Sequence, residues 1–467
     1  MGVAGDATTS VAEVRVVAAS VTVAAIPATP VSVAPPPPPP PPAAIPGAYA
    51  AGYPNGGAYQ AGAYQQGPYA GYPNGYPQGA YPGYPGYAGQ PMYYAAAGTH
   101  HHIAQLNFME GLRSRIQSMA STESLEGFSL KEMFSEVFKK RGSDAVEDYI
   151  LVGTSKTTPP IELVETGWPK PWLFFRLLAA LALACVALIL MFDWTGNTNC
   201  IPGMMFLGAF AVPLATLVLF FELNSPHNVS IHVVWKLFLL GAVVSLGVAL
   251  LGYAFKIFQL SDMEAGIVEE CAKLITVVLV MRSVRYKYIL NGILFGATVG
   301  AGFAAFETAG YALNVGYMTG YLQVVAQAGS LSDQVQTLAT HAGVTSMISL
   351  LQLRGIEAPL GHVAWTALSA GAFWRVKKDR PFSPAMLFDV NFLKAFAIPV
   401  AMHAIWDAPW QLPFQGNQIL TGLVTWYVVF GLVQQGLRQV KEEQVSRLKS
   451  TLQDVQATLT PGAAMVR

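Results

Sequence analysis

The sequence predicts an all-α polytopic membrane protein with about eight transmembrane helices and a disordered N-terminal arm. Of the 467 residues, 53% are hydrophobic and only 12% are charged, and the mean hydropathy is +0.40. A soluble globular protein carries about 25% charged residues. From Trp172 onward the chain is a series of apolar runs, whereas residues 1–99 have low complexity. The formal net charge is zero, so nothing indicates nucleic acid as a partner.

The N-terminal arm, residues 1–99, lacks the features of a folded domain. A run of prolines from Pro35 to Pro42 is followed by a Gly-Tyr-Pro tract. Polyproline favours an extended helix without internal hydrogen bonds, and the tract has no hydrophobic periodicity from which to build a core. We therefore expect this arm to be disordered.

Residues 100–170 are expected to form a cytoplasmic juxtamembrane helical segment. Its clearest helix lies in FSLKEMFSEVFKKRG, where Ser129 and Glu132 form a capping box and apolar residues recur at helical spacing. Basic residues close the last turn before Gly142, where they favour the helix dipole. The pattern predicts a helix that ends just before Gly142 and docks on the membrane surface or on the rest of the protein.

Eight apolar runs are candidates for membrane spans. A helix needs about 20 apolar residues to cross a bilayer. The eight predicted spans are residues 172–192, 202–222, 233–254, 264–281, 288–311, 359–375, 393–410 and 418–437.

The placement of Lys and Arg predicts the orientation, because cytoplasmic loops carry an excess of both. The basic segments are 282–287, 375–380 and the tail 439–467 with Arg438 just before it. The alternate loops are nearly free of basic residues: 193–201, 312–358 and 411–417 hold only Arg354, and 255–263 holds only Lys256. Both termini are thus expected in the cytoplasm, and the long loop 312–358 is expected outside.

Three charged residues in the fourth predicted span need partners. A central Glu or Lys costs roughly 2.5–3.5 kcal/mol on insertion scales, and each large aliphatic residue returns only about 0.3–0.6 kcal/mol. Lys273 lies three residues after Glu270 and four after Glu269, so it can reach either carboxylate on one helix face. One carboxylate remains uncompensated, and a buried carboxylate of this kind suits a general base or acid.

Three other spans carry polar residues at a similar depth. Glu307 lies near the outer end of the fifth span, His362 begins the sixth, and His403 lies near the outer end of the seventh. At 1.5 Å per residue, these residues and Glu269 fall within roughly the outer 10 Å of the bilayer. Asp407 shares a helix face with His403 and either fixes the tautomer of the imidazole or binds a common metal ion. The shared depth indicates one polar site.

Four motifs in order resemble those of the PrsW intramembrane proteases, which are relatives of the CAAX prenyl proteases and bacteriocin-processing enzymes. They are EECAK at 269–273, FAAFE at 303–307, the isolated His362, and HAIWD at 403–407. The resemblance covers roughly residues 140–440, includes the leader GWPKPWLFFR, and implies a transmembrane protease domain over 171–438. The sequence departs from the family pattern at Thr308, where Asn is expected.

The resemblance implies hydrolysis of a peptide bond in a membrane-anchored, anti-sigma-factor-like protein near the outer face of the plasma membrane. In a glutamate form, Glu269 or Glu270 activates water while His403 and Asp407 stabilise the oxyanion. This form is the preferred prediction and requires no cofactor.

In a metal form of the mechanism, His362, His403 and Glu269 hold a divalent ion such as zinc, which lowers the pKa of bound water. In either form Glu307 belongs to the catalytic set and Lys273 supports it.

A proton- or cation-coupled transporter is the alternative function, because buried Glu and His residues also form ion paths. A transporter favours an internal repeat and a site at the midplane of the bilayer. The sequence shows neither feature, so the protease is the better prediction.

Overall fold

The computed structural model describes most of the chain beyond the N-terminal arm. The described residues are 110–123, 125, 127–255, 261–280, 284–328 and 332–459. The predicted disordered arm over 1–99 lies outside them. Within these ranges the chain forms helices and connecting turns with no β-strand, which confirms the all-α class.

The helices are numbered α1 to α13 in chain order. They are α1 (110–120), α2 (Leu130–Met133), α3 (Ser143–Ile150), α4 (Leu173–Thr195), α5 (Cys200–Leu223), α6 (Ile231–Ala254), α7 (Ala265–Val280), α8 (Ile289–Tyr311), α9 (Thr319–Ala328), α10 (Asp333–Glu357), α11 (His362–Lys377), α12 (Val390–Trp406) and α13 (Gly416–Leu459). A π-helical segment, Ala312–Met318, joins α8 to α9 without a break.

Each of the eight predicted spans coincides with a helix, but the helices differ in length. Among the described residues, five segments are long and apolar enough to cross a membrane: Leu173–Thr195, Cys200–Leu223, Ile231–Ala254, Ile289–Ala328 and Pro413–Gln456. The helices α7, α11 and α12 have 16, 16 and 17 residues, fewer than the roughly 20 of a straight span. The number of eight spans therefore stays a prediction.

The predicted outer loop 312–358 is instead almost entirely helical. The π-helical segment and α9 extend α8, and α10 runs back antiparallel to them. A Cβ at Gly320 would lie 2.6 Å from the carbonyl oxygen of Ala342, so the two backbones touch. On α10 the buried residues form one narrow stripe: Ala339, Gly343, Val344, Met347 and Leu351. Close packing of small residues stabilises this hairpin, and average hydropathy does not reveal such packing.

The predicted helix up to Gly142 is also wrong, because α2 ends at Met133 and residues 134–138 form turns. Phe134 packs against Phe174 with ring centroids 5.7 Å apart, and Phe138 packs against Phe175 at 5.3 Å. Both partners lie on α4. Contacts with a neighbouring helix thus override the local helical pattern.

A buried carboxylate at the end of α5 fixes the start of α4. Glu222 accepts hydrogen bonds from the backbone N–H groups of Trp172, Leu173 and Phe174 at 2.7, 2.8 and 2.9 Å. These N–H groups have no partner within their own helix, and a negative charge is favoured at a helix N-terminus. The role of Glu222 is therefore structural.

The two helices α8 and α11 meet along a stripe of glycines, here called the glycine seam. It consists of three residues one turn apart on α8: Gly292, Gly296 and Gly300. A Cβ at Gly296 would overlap the carbonyl oxygen of Thr366, and one at Gly300 would overlap that of His362. The backbones are therefore in direct contact, which places the first residue of α11 beside the middle of α8.

Candidate functional site

The structure brings together all seven polar residues that the sequence singled out. Four elements supply them: α7 carries Glu269, Glu270 and Lys273, α8 carries Glu307, α11 begins with His362, α12 carries His403, and Asp407 caps the end of α12. Their side chains form one connected network of hydrogen bonds and ion pairs.

The ammonium group of Lys273 lies at the centre of this network and has no exposed surface. Its Nζ lies 2.7 Å from Glu270 Oε1, 3.5 Å from Glu269 Oε2 and 2.9 Å from Nδ1 of His362. The ring of Phe303 covers it, with the centroid 4.4 Å from Nζ. Lys273 thus contacts both carboxylates, as their spacing predicted.

Glu269 has a partner that sequence reasoning missed. The hydroxyl of Tyr253, at the end of α6, donates to Glu269 Oε1 at 2.9 Å. The other oxygen, Oε2, faces His362 Nδ1 at 3.9 Å and His403 Nε2 at 3.7 Å. A tyrosine at the end of a span is typical of a membrane interface, so its sequence position gave no sign of this contact.

Each imidazole has one ring nitrogen beside a second carboxylate. His403 Nδ1 lies 3.0 Å from Glu270 Oε1, and His362 Nε2 lies 3.0 Å from Glu307 Oε2. The remaining nitrogens are those that face Glu269, and His403 Nε2 is also 3.1 Å from Asp407 Oδ2. In each ring, therefore, a second carboxylate holds one nitrogen and the other nitrogen faces Glu269.

A small cavity opens over the two imidazoles and is here called the inner cavity. Its volume is about 80 Å³, enough for a few water molecules. Its polar walls include Glu307, Arg354, Glu357, His362, His403 and Asp407. Burial raises the pKa of the Glu357 carboxyl; Arg354 opposes this shift and Asp407 adds to it. Water can therefore reach the histidines, while Glu270 is fully buried behind them.

Glu269, His362 and His403 also fit the requirements of a metal site. Their ligand atoms all lie within 4.8 Å of one another. Zinc–ligand bonds of about 2.0–2.1 Å in a tetrahedron imply ligand separations of roughly 3.3 Å, and the two measured approaches to Glu269 exceed that by only about 0.5 Å. Two imidazoles and one carboxylate are a known zinc set, and carboxylates on the remote nitrogens commonly support one. Lys273 would keep Glu270 as its partner if it moved away from His362.

Comparison with known families agrees with this geometry. Residues 229–433 match the family model described as PrsW family intramembrane metalloprotease. Residues 229–433 therefore form a PrsW-family domain. No curated protein and no solved structure matches the chain.

The PrsW match confirms the resemblance seen in the sequence and includes every residue of the network. It covers α6 to α12 and most of the membrane part of α13, whereas α4 and α5 precede it. The family description as a metalloprotease agrees with the Glu269, His362 and His403 group. The match does not favour the transporter alternative.

Within the PrsW domain, Arg354 is a second residue that sequence reasoning did not select. Its Nη2 donates to Glu307 Oε2 at 2.6 Å, its Nε donates to Thr308 Oγ1 at 3.0 Å, and the guanidinium lies 4.5 Å from the centroid of the Tyr311 ring. The sequence could have pointed to Arg354, because it is the only basic residue in the three predicted outer loops 193–201, 312–358 and 411–417. At Thr308, where the family resemblance led us to expect Asn, the side chain anchors Arg354.

The PrsW domain also contains a buried tryptophan that holds both histidine rings. Trp365 stacks on His403 with centroids 4.4 Å apart and meets His362 edge-on at 5.3 Å. Its indole N–H donates to Thr425 Oγ1 at 3.2 Å. In the sequence Trp365 is one of many apolar residues of a span, so nothing distinguished it from core.

Proposed function

We propose that this protein is an intramembrane endopeptidase that hydrolyses a peptide bond of a membrane-anchored protein. One observation supports it most directly: an imidazole nitrogen of His362 and one of His403 approach the same oxygen of Glu269 at 3.9 and 3.7 Å. The inner cavity next to them admits water to an otherwise buried site. Hydrolysis beside the bilayer needs this combination of protected polar groups and local water.

We further propose that Glu269, His362 and His403 hold a zinc ion. When bound, such an ion lowers the pKa of water and polarises a carbonyl oxygen. Glu270 and Glu307 hold the remote nitrogens of the two rings, which fixes their orientation. The metal form now has better support than the glutamate form, because Glu270 has no exposed surface and Glu269 points at the imidazole nitrogens.

Asp407 is the carboxylate in the best position to move protons during the reaction. Its side chain is 31% exposed, it lines the inner cavity, and its Oδ2 lies 3.1 Å from His403 Nε2. A carboxylate in this position can accept a proton from the attacking water and deliver it to the departing amine. We assign this proton-transfer role to Asp407.

The proposed reaction takes place near the outer face of the plasma membrane, with both termini in the cytoplasm. The basic segments 282–287 and 375–380 support this orientation. The resemblance suggests an anti-sigma-factor-like substrate. An Asp333→Cys variant tests the orientation: a membrane-impermeant thiol reagent should label it from outside intact cells. Labelling only after the cytoplasmic side is opened would overturn the orientation.

The decisive experiment compares three purified proteins on a panel of single-span membrane proteins. The wild type should cleave at least one of them, and Glu269→Gln should lower the rate by about 100-fold or more. Glu442→Gln is the matched control, because this glutamate is 70% exposed on the C-terminal part of α13. Monodisperse elution and an unchanged unfolding temperature establish that each variant is folded. Equal cleavage by wild type and Glu269→Gln would refute the proposed site.

A further inference from the structure

A second cavity, here called the outer cavity, continues from the inner one. Its volume is about 540 Å³. The two cavities share three lining residues: Glu357, Trp406 and Asp407. The rest of its wall comes from the end of α10, the connection between α12 and α13, and the first turn of α13. The two cavities therefore adjoin at these shared residues.

The wall of the outer cavity is held in place by a buried asparagine. Asn417 Oδ1 accepts the N–H of Leu412 at 3.1 Å, and its Nδ2 donates to the carbonyl oxygens of Ile405 and Trp410 at 3.1 and 2.9 Å. Three hydrogen bonds from one side chain thus fix the connection on both sides of its bend. The cavity is therefore largely preformed, as binding sites usually are.

One side chain in this wall has an unused hydrogen-bond acceptor. Gln418 is only 8% exposed. Its Nε2 donates to the carbonyl oxygen of Trp406 and to Gln411 Oε1, both at 3.4 Å. Its Oε1 is buried and has no partner among the described residues. A buried acceptor without a donor is unfavourable, and because Gln418 lines the outer cavity, a ligand bound there can supply the donor.

We propose that the outer cavity binds an extended stretch of the substrate backbone next to the scissile bond, with Gln418 Oε1 accepting one backbone N–H. This inference rests on the proposed endopeptidase function. A helical substrate must unwind before its carbonyl group can be attacked, and unwinding leaves N–H groups that need acceptors. Gln418 offers such an acceptor in the wall of the cavity that Asp407 also lines.

The side chains that line the outer cavity also predict which charge on the substrate is preferred. Glu357 and Asp407 both line the outer cavity, and no basic side chain is among its described lining residues. Arg354 lines the inner cavity and is paired with Glu307. Two carboxylates in a partly buried cavity repel an acidic side chain and attract a basic one. A substrate with Lys in the bound stretch is therefore favoured over one with Asp.

Ester substitution in the substrate tests the hydrogen bond. A membrane-anchored reporter that the wild type cleaves is prepared with one amide near the scissile bond replaced by an ester, position by position, so that each version lacks a single N–H. At one position the ester should lower kcat/KM of the wild type by about tenfold. Gln418→Leu should lower kcat/KM on the all-amide reporter by a similar factor. The ester at that position should then cause no further loss.

Two variants separate recognition from folding. Gln418→Glu keeps an acceptor oxygen and should retain most of the sensitivity to the ester. Gln434→Leu is the control, because Gln434 also has an unpartnered buried amide oxygen on α13 but lies about 24 Å farther along the helix. It should leave kcat/KM and the ester scan unchanged. If Gln418→Leu does not fold, Glu357→Gln provides the test and should reduce the preference for Lys over Asp.

The outcomes distinguish the inference from the function on which it rests. If the wild type cleaves the reporter but the effects of Gln418→Leu and the ester multiply at every position, the outer cavity does not bind backbone in this way. A wild type without sensitivity to any ester, or without preference for Lys over Asp, leads to the same conclusion. If the wild type cleaves no reporter at all, the endopeptidase proposal itself fails.

Discussion

The Nδ1 atom of His403 lies 3.0 Å from Glu270 Oε1, the same oxygen that Lys273 Nζ contacts at 2.7 Å. This oxygen therefore joins α12 to the centre of the charged network on α7. Glu270 is fully buried, so it acts on the histidine and cannot touch a substrate in the inner cavity. The two adjacent glutamates thus have different surroundings.

This difference predicts different effects for the two Glu→Gln changes. Glu270→Gln keeps the shape of the side chain but weakens the orientation of His403, so we expect kcat to fall by about 10- to 100-fold with little change in KM. Glu269→Gln should be more severe. Steady-state kinetics on one cleaved reporter gives both values. Full activity of Glu270→Gln would show that the contact with His403 is dispensable.

The metal form of the mechanism predicts bound zinc. Elemental analysis of the purified wild type should find about one equivalent, and His403→Ala should contain almost none because it loses one of three ligands. A chelator should inactivate the wild type, and added zinc should restore it. His232→Ala, an exposed histidine on α6, should keep its metal. An active wild type that contains no metal and resists chelation would instead support the glutamate form.

We predict that His403 and Asp407 act as one unit, since Oδ2 lies 3.1 Å from Nε2. Asp407→Asn should lose most of its activity because an amide cannot accept and release a proton, and His403→Ala should lose nearly all. The double variant should then be no worse than His403→Ala, because residues that act together are non-additive. The measurement is kcat/KM for all four proteins. If the losses in kcat/KM of the two single variants multiply in the double variant, His403 and Asp407 act independently.

The glycine seam predicts a large difference between two glycines of the same helix. Gly296→Ala would force its Cβ into the carbonyl oxygen of Thr366, whereas Gly310 has open space around it. We expect Gly296→Ala to lower the unfolding temperature and the activity sharply. Gly310→Ala should be neutral or stabilising by up to about 1 kcal/mol, since Ala favours a helix over Gly. Thermal unfolding in detergent measures the stability of both variants. Similar unfolding curves for the two would show that close packing at Gly296 is not needed for stability.

A cluster at the C-terminal part of α13 predicts sensitivity to acid. Burial would raise the pKa of Glu443, but hydrogen bonds from Lys287, Arg447 and Tyr288 outweigh it and lower the pKa. A carboxyl whose pKa is lowered by folding stabilises the protein at pH values above the ordinary pKa of the group, 4.5. This stabilisation is lost as the pH falls below 4.5 and through the lowered pKa. Unfolding temperatures measured on acidification should therefore fall more for the wild type than for Glu443→Gln. Parallel profiles would show that this cluster contributes nothing.

The sequence identified the network because its charged residues are costly in apolar helices. Glu269, Glu270 and Lys273 stand out for this reason, and a common depth linked them to His403. Tyr253 and Trp365 did not stand out, because both residue types are ordinary in membrane helices and only tertiary contacts reveal their roles.

The helical hairpin of α9 and α10 was missed for a different reason. Its stability comes from close backbone contacts at glycines such as Gly320, and hydropathy averages do not record such contacts. For the same reason Arg354 appeared only as an isolated charge in a loop, although α10 places it beside Glu307.

The glycine seam has a consequence for how the protein adapts to different lipids. When bilayer thickness changes, helices respond by tilting, and tilting slides neighbouring helices past each other. A site built from four helices would lose its geometry under such sliding. At each glycine of the seam the backbone of α11 packs directly against α8. The two helices therefore tilt together. The spacing of Glu307 and His362 should therefore stay constant in thin and thick bilayers.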